Sequence, residues 1–128
     1  MIGYAMVGTN DLSRACHFYD AVLLPLGLVQ VENTGTYVGY AQKQMPDQIE
    51  FYVTAPFDQK MAAPGNGAMI AFKVDSKGAI DQFHTIGLHS GGTDEGAPGL
   101  RPVDGGIYYA YVRDLDGNKL CAYCADEA

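Results

Sequence analysis

The side chains of this chain that could do chemistry are few and poorly spaced for joint work. Cys121 and Cys124 stand in a C-x-x-C spacing within "NKLCAYC". That stretch reads as a strand, where residues three apart point to opposite faces, so the two thiols neither bridge each other readily nor hold one metal together. His17 and His84 lie on helical stretches, His89 follows the second of them, and no two of these histidines have ligand spacing. "GGTDEG" neither follows a long parallel strand nor opens a helix, so the dinucleotide and P-loop signatures are both unmet. No G-x-S-x-G elbow is present to carry a hydrolase triad.

The elements that must position any site repeat along the chain. "MIGYAMVG" has strand character, and "TNDLSRACHFYDAVLLPLG" follows with Leu12, Ala15, Cys16, Tyr19, Val22 and Leu23 at helical spacing. Asn10 is the expected N-cap with Asp11 in the first turn, and Pro25 and Gly27 close the helix. "LVQVEN", "TYVGYAQ" and "QIEFYVT" read as three strands. After the Ala-, Pro- and Gly-rich "APFDQKMAAPGNG", the order begins again: strand "AMIAFKVD", helix "SKGAIDQFHTIG", a short strand within "LHSGGTDEG", and the hairpin "YYAYVRDLDGNKLCAYC" turning at Asp116-Gly117. Asp11 and Asp75 stand 64 positions apart, half of the 128-residue length. The chain therefore reads as a duplicated βαβββ module, the first over about residues 1–55, a linker over about 56–67 and the second over about 68–125.

Composition narrows the class. Apolar residues make up 48% of the chain and charged ones 18%, which specifies a folded globule with one core or two half-domains sharing one. The net charge is −7, and the eight Lys and Arg are scattered singly along the sequence, which argues against nucleic acid or anionic membrane as partners. The longest apolar run, "AVLLPLGLV", is too short to span a bilayer, and the first ten residues carry no Lys or Arg to open a signal peptide. Three cysteines cannot all pair within one chain, which points to a reduced, cytoplasmic setting.

The helix pattern "DL…FY…LG" in "NDLSRACHFYDAVLLPLGL", together with the hairpin motif D-x-DGN-K in "VRDLDGNKLCAY", resembles the vicinal oxygen chelate superfamily of glyoxalase I, bleomycin resistance proteins and extradiol dioxygenases. The resemblance covers essentially the whole chain. It implies an α+β fold of two tandem βαβββ modules forming a curved mixed sheet, with helices on the convex face, a ligand pocket on the concave face, and a homodimer. In metal-dependent members it implies four ligands, a His or Gln in the first strand and a Glu in the last strand of each module. Those positions fall here at Tyr4, Glu50, Met69 and Cys121, and only Glu50 keeps a family ligand. A phenol, a carboxylate, a thioether and a thiol favour different metals, so the expectation is no metal cofactor.

Period-two alternation then assigns the concave face. With Glu50 inward, so are Tyr52 and Thr54, while Ile49, Phe51 and Val53 pack toward the helices. The same rule places Tyr4, Met6, Met69, Ala71, Lys73, Tyr109, Tyr111, Arg113, Cys121 and Tyr123 inward. Tyrosine supplies a broad ring with a polar tip and methionine fits irregular shapes, so this face suits a small-molecule pocket. Glu50 is the candidate acid or base if apolar surroundings desolvate it; otherwise it pairs with Lys73 or accepts tyrosine hydroxyls. Cys121 lines the pocket rather than acting as a nucleophile, since no histidine is expected beside it. The stretch 90–106 reads as a long Gly/Pro-rich loop bordering the pocket. Its Arg101 either holds a ligand carboxylate or phosphate or pairs with Asp94, Glu95 or Asp104.

Three functions remain open at this level: a binding protein for a small molecule without the usual metal site, a metal-dependent lyase, isomerase or dioxygenase using Glu50, and a non-catalytic protein-interaction module.

Overall fold

The computed structural model describes residues 1–101 and 105–125. The elements run β1 (Ala5–Gly8), α1 (Leu12–Leu23), a 3-10 turn (Leu24–Leu26), β2 (Leu28–Asn33), β3 (Tyr37–Gln42) and β4 (Phe51–Thr54). They continue as β5 (Ile70–Lys73), α2 (Lys77–His89), β6 (Thr93–Leu100), β7 (Ile107–Arg113) and β8 (Lys119–Ala125). Two four-stranded mixed sheets result, ordered β1-β4-β3-β2 and β5-β8-β7-β6. In each, the first strand pairs parallel with the last and the remaining pairs are antiparallel. This is the duplicated βαβββ arrangement that the repeated strand-helix order predicts.

Both helices begin at a side-chain cap that satisfies an otherwise orphaned backbone donor. Asp11 accepts the Arg14 N–H at 3.0 Å, and Ser76 accepts the Ala79 N–H at 3.1 Å. Asp11 thus takes the capping role expected of Asn10. Asn10 is used elsewhere, donating to the Ala62 carbonyl at 3.1 Å and accepting the Ala62 N–H at 2.7 Å, which ties the inter-module linker to the start of α1. His89 is the last residue of α2 rather than the first beyond it.

One core serves both modules. Phe18, Tyr19, Val22 and Leu23 of α1 and Ile80 and Phe83 of α2 are buried in a single cluster with alternate residues of both sheets, among them Val38, Phe51, Val53, Val112 and Leu120. Each such side chain contributes roughly 1.5–3 kcal/mol by leaving water. Phe51 of the first sheet meets Phe72 of the second edge to face at 5.3 Å, so the seam between modules is apolar and shared.

The hairpin motif explains itself at this seam. Asp114, 5% exposed, accepts the Tyr19 hydroxyl at 2.5 Å and the N–H groups of Asp116 and Asn118 at 2.9 and 2.8 Å. Asn118 donates to Asp114 and, across the seam, to the Gly8 carbonyl at 3.0 Å. Asp116 accepts the Thr9 hydroxyl at 2.5 Å and the Arg14 guanidinium at 3.2 Å. Gly117 allows the turn because its φ of 89° lies in the left-handed region.

Eight residues of the stretch 90–106, expected to be one long loop, form β6. It holds Gly96, Pro98 and Gly99, which fit an edge strand that departs from regular register with β7 at two places, between Asp94 and Gly96 and between Gly96 and Gly99. β2, the outer edge of the other sheet, has an irregularity between Gln30 and Glu32. Asp94 accepts from the His84 ring at 2.9 Å, a bond that, with the Gly96 N–H, holds its carboxyl below the usual range.

Replacing Asp114 strands several buried donors, whereas replacing Asp81 removes only an exposed bond to the Tyr108 hydroxyl. Asp114→Ala is expected to lower the unfolding free energy by roughly 3 kcal/mol or more. Asp81→Ala is expected to lower it by less than about 1 kcal/mol. Urea titration of both variants checks the ranking.

Candidate functional site

On the face turned away from the helices, the two sheets carry tyrosines in different arrangements. In the first sheet Tyr52 receives Tyr4 and Tyr37 edge to face, at 4.9 and 5.6 Å. Gly39, directly across from Tyr52, makes this possible: a Cβ there would lie 3.1 Å from the Tyr52 ring and 2.9 Å from Ile49. Ile49 therefore lies over Gly39 on the tyrosine side, not toward the helices as alternation predicts. It precedes β4, where period-two geometry does not yet hold.

In the second sheet the rings lie more nearly parallel. Tyr109 stacks on Tyr111 at 5.8 Å and 11° and on Tyr123 at 5.9 Å and 29°. Arg101 places its guanidinium 4.6 Å from the Tyr111 centroid and 5.9 Å from that of Tyr109, and Lys119 places its ammonium 5.3 Å from Tyr111. Arg101 is thus engaged with rings rather than with Asp94 or Glu95: Asp94 bonds His84, and Glu95 pairs with Arg113. Asp104, the remaining expected partner, lies outside the described residues.

The four family ligand positions do not converge on a metal-binding set. Tyr4, Glu50 and Met69 each stand one residue before their strands, and Cys121 lies within β8. The Glu50 backbone is fixed, its N–H donating to Tyr40 and its carbonyl accepting from Ala5. Its side chain is exposed and takes the Gln42 amide at 3.4 Å, in place of the Lys73 or tyrosine contact expected. Cys121 is 1% exposed, and burial pushes its thiol up to about 11 against the opposing influence of a Tyr111 hydrogen bond, Arg101 and Lys119. To serve as a metal ligand it would have to give up that proton. Among the described residues no three His, Cys, Asp or Glu side chains come together. This donor set does not fit the divalent cation of the metal-dependent members.

The remaining expected site residues fall into separate grooves. Tyr4 and Glu50 line one of about 620 Å³ together with Lys73. Met6 joins Tyr37, Phe57 and Met61 in a more apolar one of about 1000 Å³. Met6, Met69 and Lys119 share a third, between the modules. Tyr109, Tyr111, Cys121 and Arg101 gather on the second sheet. Tyr37 and Lys119 were absent from the expected set, although alternation back from Cys121 already places Lys119 on its face.

A solved glyoxalase/bleomycin resistance protein from Albidiferax ferrireducens T118 is 39% identical to this chain over 97% of it and 98% of its own length, with a TM-score of 0.85. The chain belongs to the glyoxalase/bleomycin resistance family. The fosfomycin resistance protein FosX from Mesorhizobium loti has the same fold at 15% identity and TM-score 0.67, covering 98% of this chain and 94% of its own. So does lactoylglutathione lyase from Agrobacterium tumefaciens, at 20% identity and TM-score 0.66 with the same coverage. No family model matches the chain, and no curated protein does. The resemblance drawn from the helix and hairpin motifs is therefore correct.

The thiol environments give a direct check. Iodoacetamide at mildly alkaline pH should modify half-buried Cys16 first, and Cys121 and Cys124 only as fast as the chain unfolds. Peptide mass spectrometry over a time course reads this order, and early modification of Cys121 would contradict its assignment as a buried lining residue.

Proposed function

We propose that this family member binds a small aromatic or amphipathic molecule on its tyrosine-rich open face, without the metal used by the family's metal-dependent enzymes. The observation that carries the reading is the make-up of the open face. Tyr4, Met69 and Cys121 stand at the positions where the resemblance would put metal ligands, and the surface around them is built from tyrosine rings and thioethers. Tyr4, Met6 and Met69 are 59%, 48% and 44% exposed, so this apolar material is displayed rather than used as core. The groove formed by Met6, Tyr37, Phe57 and Met61 offers the adaptable, largely apolar lining that such ligands require.

The same exposed residues support a homodimer in which a second copy covers part of the face. The unpaired cysteines support a reducing, cytoplasmic setting. Among the described residues no helix is long and apolar enough to cross a membrane.

The sequence contains nine tyrosines and no tryptophan, so intrinsic emission reports on tyrosine, six of which lie on the open face. Screening small aromatic compounds by change in that emission should yield ligands whose affinity falls in Tyr52→Ala and Tyr111→Ala. Equilibrium dialysis against zinc, nickel, manganese and ferrous iron should leave well under one metal per chain, unchanged in Glu50→Gln. About one metal per chain, lost in Glu50→Gln, would reverse the reading and direct attention to lyase or dioxygenase chemistry.

A further inference from the structure

The chain has eight basic residues against fifteen acidic ones, and in the sequence they look evenly dispersed. The fold gathers half of them. Lys73, Arg113 and Lys119 stand on the open face of the second sheet by register, with Lys73 beside Tyr123 and Arg113 beside Lys119, and Arg101 folds onto that face over Tyr111. Arg113 and Lys119 are like charges directly opposite across two strands, an arrangement that is unfavourable unless compensated. Glu95 and the Gly117 carbonyl compensate Arg113. Among the described residues Arg101 and Lys119 form no ion pair, although both lie against the same ring.

Their distances to the Tyr111 centroid, 4.6 and 5.3 Å, put the two cationic centres no more than about 10 Å apart, about one Debye length at 0.1 M ionic strength. Two positive charges so placed repel, and one anion between them relieves both. Beside them lie the near-parallel rings of Tyr111, Tyr109 and Tyr123. A guanidinium adds a planar, two-pronged donor suited to a carboxylate.

We propose that this half of the open face is an anion site selecting a planar aromatic carboxylate, its ring lying on the tyrosine stack and its carboxylate held by Arg101 and Lys119. This rests on the reading of the open face as a ligand surface and names the class of ligand. The apolar groove reached through Met6 and Met69 then takes whatever substituent the aromatic acid carries.

The test uses the full chain and three probes: naphthoate, its neutral analogue naphthamide, and inorganic phosphate, with backbone amide shifts followed by NMR. Naphthoate should shift Tyr109, Tyr111 and Tyr123 and bind roughly tenfold or more tightly than naphthamide, the preference shrinking as salt rises. The double variant Arg101→Gln/Lys119→Gln should abolish the preference and leave naphthamide binding in place, while Lys43→Gln leaves both unchanged. Thermal melts confirm that the variants fold. Equal binding of naphthoate and naphthamide on the open face would overturn the anion site and leave the proposed function standing. Phosphate competing as well as naphthoate would overturn the aromatic selectivity. No binding of either naphthyl compound to the face, with or without the cations, would overturn both readings.

Discussion

A buried carboxylate, Asp114, stands at the centre of the polar network that joins the two modules. It draws the Tyr19 hydroxyl from the first module's helix and the backbone of its own turn onto one group, and Asn118 passes the connection to Gly8 at the end of β1. A buried charge is costly unless every lone pair is used, and here hydroxyl, amide and backbone donors all converge on it. The arrangement makes the D-x-DGN turn a fastener between halves of the molecule rather than a local hairpin device. Burial and the neighbouring carboxylate in turn push the Tyr19 phenol well above its ordinary range.

With the halves fixed, duplication has been used asymmetrically. Both sheets bury one face under the helices and present tyrosines on the other, but the first offers ring edges beside methionines and the second ring faces beneath cations. The same backbone plan thus yields an apolar side and a positively charged side. Within the strands, alternation decides which residues are displayed.

The fold was legible because its signals are local and periodic: helical spacing from Leu12 to Leu23, strand runs bounded by turn residues, and a motif order that begins again half-way along. What escaped was set by distant contacts. Asn10 and Asp11 are both good caps, and the choice between them follows from Asn10 being claimed by Ala62, 52 positions away. The composition of β6 argues against a strand, yet pairing with β7 overrides that preference, as tertiary context often does for strands. Ile49 broke the alternation because it precedes β4. The site was legible at the level of which faces carry tyrosine, methionine and cysteine. The meeting of Arg101 with Lys119 over Tyr111 was not, since nothing in the spacing of two basic residues eighteen positions apart announces a common ring.

The irregularities in β2 and β6 bear on something other than ligand. Each of these strands is one of the two edges of its sheet, β1 and β5 being the others, and at such an edge unpaired backbone groups would otherwise template the addition of further strands. An incoming strand cannot keep regular register across a bulge, so both edges are poor seeds for sheet extension. At these two edges the chain therefore resists the edge-to-edge growth that leads to insoluble aggregates, while its open face displays apolar, tyrosine-rich surface.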